Sequence, residues 1–459
     1  MSAIPLSESH LADLHQRAAE LDIPRFRLLT RGELIDAIER AEGEDGAGAE
    51  APEREERPRR RRRRSRSGER RAREREGGRA GDEEDEEEEE EERAPRGRRA
   101  AEPDEEGEED FEPRDETETE EVSGVLDRMP QGYGFLRLGG LGAAEGDVYV
   151  SASQIRRCEL RPGDEVSGPA RPPRRGERHR ALVRVSEVNG QEPEGDRVQF
   201  EDLTAVAPHR RLPLGDSSEP LARAVDLLAP LAFGQRVLVL AEPRSGRTTL
   251  LRAIAAALSG TDAHLRVLLA DERPEEVTKW ERELPEAEII AAPADQEPHD
   301  QIRAAELAIG HAKRRAEAGE DVVVIVDSLS RLALGYRDPN RVKRLFGAGR
   351  ELGEEGAGSL TIIATVLDSD VRGEDVRAAL ETTENALIRL DAELASQGIV
   401  PSIDVAGTRV SGEEELRSRS ELEAARALRA ELNELDPADA AKALAERIEG
   451  SKRNSELLG

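Results

Sequence analysis

Aromatic residues make up only 2% of this 459-residue chain, which has one tryptophan, three tyrosines and six phenylalanines. With so few rings, the position of each one is informative. The single cysteine, Cys158, excludes an internal disulfide. No signal peptide opens the sequence, and no apolar run approaches the roughly 18 residues that suggest a membrane span, so a soluble cytoplasmic protein without a membrane partner is expected. Apolar residues are scarce as well, 36% against 37% charged, a balance that assigns part of the chain to disorder. The formal charge of −31 would exclude nucleic acid if it were evenly spread. It is not: Asp82 to Glu92 is an unbroken acidic run and Arg59 to Arg64 an unbroken basic one.

The most informative stretch is GQRVLVLAEPRSGRTTLLR, from Gly234 to Arg252. It reads as a buried strand (Val237 to Leu240), a turn on Pro243, Ser245 and Gly246, and a helix opened by Thr248 and Thr249. Such a loop presents free backbone N–H groups and the positive end of a helix dipole, which together cradle phosphate. Against the pattern GxxxxGK[ST], Ala241 replaces the first glycine and Arg247 the lysine. Taken alone, the window reads equally as an ordinary strand-to-helix turn.

Its neighbours weigh on the choice. DVVVIVDSLSRLA, from Asp321, suits a parallel strand buried on both faces, with Asp327 at the carboxyl end where P-loop proteins hold nucleotide-bound magnesium. The strand Leu265 to Ala270 leads into DERPEEV, in which Glu272 is placed to orient an attacking water. Acidic residues after strands also serve as helix caps or solvated turns. Three such strand ends in this order favour a nucleotide-binding core using ATP and Mg2+.

Residues 1–42 carry helical apolar spacing and read as a small helical unit, with Thr30 and Glu33 fitting a capping box. Residues 43–121 are Arg/Glu-rich and expected to be a disordered linker; its basic block holds RNA phosphates or is merely solvated. Residues 122–201 change to short strands punctuated by Gly and Pro, the texture of a small OB or cold-shock barrel. Tyr133, Phe135 and Tyr149 fall here. Tyr133 and Phe135 share a strand face and suit base stacking, with core packing as the alternative. Gly132 and Gly134 are read as leaving room for a ligand, and Arg137, Arg174, Arg175 and Arg178 as meeting phosphates. After a connector, 202–220, residues 221–459 alternate strand and helix into a mainly parallel α/β core with closing helices.

QGYGFLR, DVYVSASQIRR, RPPRRGERHRALVRV, ADERPEEVT, VDSLSRLA, GSLTIIAT and PSIDVAGTR resemble segments of the bacterial transcription termination factor Rho family, in the family's order. The resemblance spans roughly 4–42 and 122–450. It implies a multidomain protein: an N-terminal helical unit, an OB/cold-shock-like β-barrel and a RecA-like α/β P-loop ATPase core. It also implies a homo-oligomeric, hexameric ring that binds single-stranded nascent RNA and acts on the RNA polymerase transcription complex. By resemblance, Tyr133, Phe135, Tyr149, Glu177 and Arg178 form the primary RNA site. Arg244, Ser245, Gly246, Arg247, Thr248 and Thr249 bind nucleotide, Thr248 and Asp327 serve Mg2+, Glu272 the water, and Arg409 is an arginine finger reaching a neighbouring subunit.

The chain also departs from that family. The P-loop lysine is Arg247, and an arginine fork is no simple replacement for an ammonium. The segment from Tyr336 to Lys343 is shorter by about one RNA-gripping channel loop. A second channel loop reads Glu381, Thr382, Thr383, Glu384, Asn385 in place of a Lys-Gly-Thr-Gly-Asn context, and two further basic positions are Ala392 and Gly398. Two expectations follow: an RNA-dependent ATPase and translocase that terminates transcription, or a Rho-derived RNA-binding protein with weak turnover that co-assembles with another Rho. A rotary ATPase subunit shares the P-loop core but leaves the aromatic module unexplained.

Overall fold

A computed structural model describes residues 119–459 apart from 294–296, 337–338 and 369–370, together with Ile35 and Ile38. The expected N-terminal helical unit and charged linker therefore lie almost wholly outside the described residues.

The first sheet has six strands: β1 (Glu120–Arg128), β2 (Gly134–Arg137), β3 (Val148–Val150), β4 (Glu165–Arg171), β5 (Arg180–Leu182) and β6 (Glu187–Val188). They run in the order β1-β2-β3-β5-β4-β6, and β1 also pairs with β4, closing a barrel of the expected OB type. Its first strand begins at Glu120, two residues earlier than expected, because Glu120 and Glu121 pair with Ala170 and Pro169. Alternation fills the interior with Leu126, Leu136, Val148, Val150 and Val166. A short helix α1 (Ala152–Arg157) crosses between β3 and β4, held by a reciprocal capping box from Ser151 and Gln154.

The second sheet contains nine strands, β7 (Ala205–Val206) to β15 (Arg409–Val410), with the main order β10-β9-β11-β13-β8-β14-β15. The strands β8 (Arg236–Ala241), β9 (His264–Glu272), β10 (Glu288–Pro293), β11 (Asp321–Asp327), β13 (Ser359–Leu367) and β14 (Ala386–Arg389) are mutually parallel. The expected connector supplies β7, which pairs with β12 (Arg350–Leu352). Burial explains the β-branched run in β11. Val323 and Ile325 pack into one core and Val322, Val324 and Val326 into the other, so both faces of the strand are covered.

Helices connect these strands: α2 (Pro220–Leu228), α3 (Arg247–Leu258), α4 (Pro274–Glu283), α5 (Pro298–Glu317) and α6 (Leu329–Gly335). The barrel meets the core on α5. Gly163, at φ +87°, lies so close to that helix that a Cβ there would stand 2.4 Å from Gly310 C and His311 N. Arg161 pairs with Glu317 at 3.0 Å, and Arg303 reaches back to Asp127 of β1 at 2.6 Å. Among the described residues, no helix is long and apolar enough to cross a membrane.

Candidate nucleotide site and nucleic-acid interface

The glycine loop occupies the carboxyl end of β8. Gly246 takes φ +90°, a conformation that favours glycine, and Arg244 takes φ +67° in the same turn. Helix α3 starts at Arg247, one residue before the expected Thr248, and has no side-chain cap. Its first-turn N–H groups are therefore available to a phosphate. Ser245 is buried; its hydroxyl donates to the Glu242 carbonyl at 2.8 Å and its carbonyl accepts from Ser402 Oγ at 2.6 Å. Thr249 is exposed on the same turn.

Parallel pairing brings Asp327 and Glu272 to this edge of the sheet. Arg247 joins them. Its Nε stands 3.0 Å from Asp327 Oδ1 and its Nη2 3.3 Å from Glu272 Oε1. Thr365 donates to Asp327 Oδ1 at 3.0 Å, and Thr248 Oγ1 lies 3.5 Å from Oδ2. Burial pushes the Asp327 carboxyl above its ordinary range, against the pull of Arg247. Burial also raises Glu272, and the nearby Asp327 charge adds to the effect. A carboxylate and a hydroxyl side by side are hard oxygen donors of the kind Mg2+ uses, so Asp327 and Thr248 fit that ion.

Sequence reasoning missed two neighbours of this cluster. Thr365 could be found only once β13 was known to lie between β8 and β11. Arg331, in the first turn of α6, donates to the Asp271 carbonyl at 2.9 Å and pairs with its carboxylate, bracing the end of β9 that carries Glu272. Arg409 stands apart. On edge strand β15 it is level with Leu387 and Leu238, toward the amino ends of the parallel strands, and its partner is Glu384 at 3.0 Å.

On the barrel, Phe135 and Tyr149 are directly opposed across β2 and β3. Their ring centroids are 6.0 Å apart, and Tyr133 lies 5.9 Å from Phe135 and 5.6 Å from Tyr149. All three rings are half-buried, forming a wall with open faces. His179, which sequence reasoning did not single out although it lies within RPPRRGERHR, joins them at 4.9 Å from Phe135. Glu177 accepts from both guanidinium nitrogens of Arg171, at 2.6 and 2.8 Å, and from Arg174 N at 2.8 Å, which holds its carboxyl down at about 2. That clasp orders the loop carrying exposed Arg174, Arg175 and Arg178.

Two expectations need correction. Arg137 does not face phosphates: it is buried, paired with Asp127 and Asp147, because α5 and Arg303 cover that part of the barrel face. The glycines do not simply leave room. Gly132 is required by φ +96°, and a Cβ on Gly134 would meet Leu126 Cδ1 at 2.8 Å.

A glycine loop and a buried aspartate at the carboxyl edge of one parallel sheet define a P-loop ATPase core, and the closed barrel with its ring cluster defines an oligonucleotide-binding module. Residues 122–194 match the Rho termination factor RNA-binding domain, and residues 222–344 match the ATP synthase alpha/beta family nucleotide-binding domain. The chain is 39% identical over 362 residues to transcription termination factor Rho of Bacillus subtilis, covering 73% of this chain and 84% of that relative. Rho of Pseudomonas aeruginosa is 37% identical over 370 residues, 74% of this chain and 88% of the relative. The chain belongs to the transcription termination factor Rho family. A solved ATPase from the type III secretion system of pathogenic bacteria aligns with 52% of this chain and 77% of its own, at 21% identity and a TM-score of 0.44.

Proposed function

We propose that this protein is a Rho-type transcription termination factor: it binds nascent single-stranded RNA on the barrel and couples ATP hydrolysis in the core to RNA translocation and transcript release. The observation that carries this reading is the convergence of Arg247, Thr248 and Glu272 on Asp327, in one chain with the Tyr133–Phe135–Tyr149 wall.

Bases stack on Tyr133, Phe135 and Tyr149, while Arg178 and its loop, held by Glu177, meet the backbone. Arg244, Ser245, Gly246 and Thr249 line the phosphate cradle. Asp327 and Thr248 would hold Mg2+, which when bound neutralises charge on the phosphates. Glu272, whose carboxyl is pushed up from its ordinary range by burial, orients and deprotonates the attacking water once ionised. Arg409 has no role in its own site and acts across a subunit boundary, which calls for a homo-oligomeric ring, hexameric as in the family. RNA polymerase complexes and a cytoplasmic location belong to the same reading.

A second reading, an RNA-binding Rho derivative with weak turnover that modulates another Rho, is favoured by one observation: Arg247 is engaged by the two carboxylates that hydrolysis needs. Steady-state ATP hydrolysis with and without poly(C), beside Asp327→Asn and Arg247→Lys, decides between them. Turnover stimulated by RNA and abolished by Asp327→Asn supports the translocase. RNA binding without turnover supports the modulator.

A further inference from the structure

The P-loop arginine has an arrangement that a lysine would not reproduce. Arg247 uses Nε for Asp327 and Nη2 for Glu272 at the same time, at 3.0 and 3.3 Å. A planar guanidinium spans two carboxylates in this way, whereas an ammonium is a single compact charge. The contacts are well shielded: the Arg247 and Glu272 side chains are each 13% exposed and that of Asp327 is 1% exposed. Charge-assisted pairs shielded from water are strong, and the one guanidinium offsets the repulsion between the two carboxylates it faces. A second guanidinium that acts on both carboxylates, Arg331, is paired with Asp271.

The Asp327 carboxylate held by Arg247 is also the one a divalent ion would use. Asp327 Oδ1 is already shared by Arg247 and Thr365, which leaves Oδ2 beside Thr248. An ion there would share one carboxylate with a second cation that is covalently attached to the loop, and moving that cation aside would break two pairs.

We propose that Arg247 is a tethered counter-cation that competes with Mg2+ for Asp327, so that this chain binds nucleotide with little dependence on divalent metal. The proposal rests on reading the loop as a nucleotide site. Its consequence is a P-loop in which nucleotide retention and metal-dependent hydrolysis are uncoupled: the backbone cradle holds ADP or ATP, while Asp327 would be free to hold Mg2+ only when Arg247 leaves it.

The test titrates a fluorescent ADP analogue into the full-length chain in excess MgCl2 and again in EDTA. Chelation should weaken binding less than about threefold in the wild type but about tenfold or more in Arg247→Lys, whose single ammonium yields Asp327 to the metal. Glu272→Gln keeps Arg247 and Asp327 but removes one anchor, and its metal dependence should fall between the two. Poly(C) binding through the barrel serves as the folding control for both variants. The same EDTA effect in all three proteins, or a tenfold effect in the wild type, overturns the counter-cation. Absence of saturable ADP binding in every protein under both conditions instead overturns the nucleotide-site reading itself.

Discussion

Arg409 is paired within its own chain to Glu384, Nη2 to Oε1 at 3.0 Å, the arginine side chain 63% exposed and the glutamate 11%. An arginine that acts across a subunit boundary must first leave such a partner. Because Arg409 is largely in solvent, the pair is worth about 1 kcal/mol or less. Glu384→Gly should therefore raise RNA-stimulated ATP turnover by up to about fivefold, while Arg409→Ala should lower it at least tenfold. A coupled ATPase assay with poly(C) reads both, and an Arg409→Ala protein as active as wild type would remove this arginine from the reaction.

The aromatic wall should carry the affinity for RNA. Tyr133→Ala and Phe135→Ala are each expected to weaken poly(C) binding by about 1–3 kcal/mol, measured by filter binding at fixed salt. His179→Ala should have a smaller effect of the same sign, because the ring supports Phe135 at 4.9 Å. Affinity unchanged by the double substitution Tyr133→Ala/Phe135→Ala would turn the wall into packing only.

His311 provides a pH signature. It is 7% exposed, and burial, with help from the adjacent Arg266, lowers its pKa from 6.5 to about 3. Arg315 and His264 also face it and act in the same direction. The folded chain keeps this imidazole neutral, whereas the unfolded chain protonates it below about 6.5. Its stabilising contribution is therefore complete above that pH and is lost as pH falls toward 3, by at most ~1.4 kcal/mol per pH unit. Urea midpoints across that range should fall more steeply for the wild type than for His311→Gln; parallel slopes would contradict this assignment.

The joint between barrel and core can be tested at one glycine. Gly163→Ala would force a Cβ to 2.4 Å from Gly310 C and His311 N, at a φ of +87°. A loss of about 1–3 kcal/mol is expected, read as a lowered denaturation midpoint, with the barrel less firmly attached to α5. A midpoint within error of wild type would show that the helix yields.

Much of this architecture was legible because it rests on local pattern. Two-residue alternation and turn residues marked the barrel, and β-branched runs marked the parallel strands, with Asp327 and Glu272 at strand ends. Helix starts were less legible. Helix α3 begins at Arg247 instead of Thr248, because no side-chain cap marks its start and Gly246 in the left-handed conformation ends the loop. Arg137 misled because alternation places it on the face of Phe135, and alternation says nothing about which part of a face another element will cover.

The sequence by itself determined the elements, the glycine at Gly246 and the identity of the charged groups at the strand ends, since propensity and periodicity act along the chain. Only the tertiary structure decided how those groups are paired: Arg247 between Asp327 and Glu272, Arg409 against Glu384, and Arg137 beneath Arg303. Pairing follows from which strands become neighbours and which surfaces lose water, and both are properties of the packed molecule.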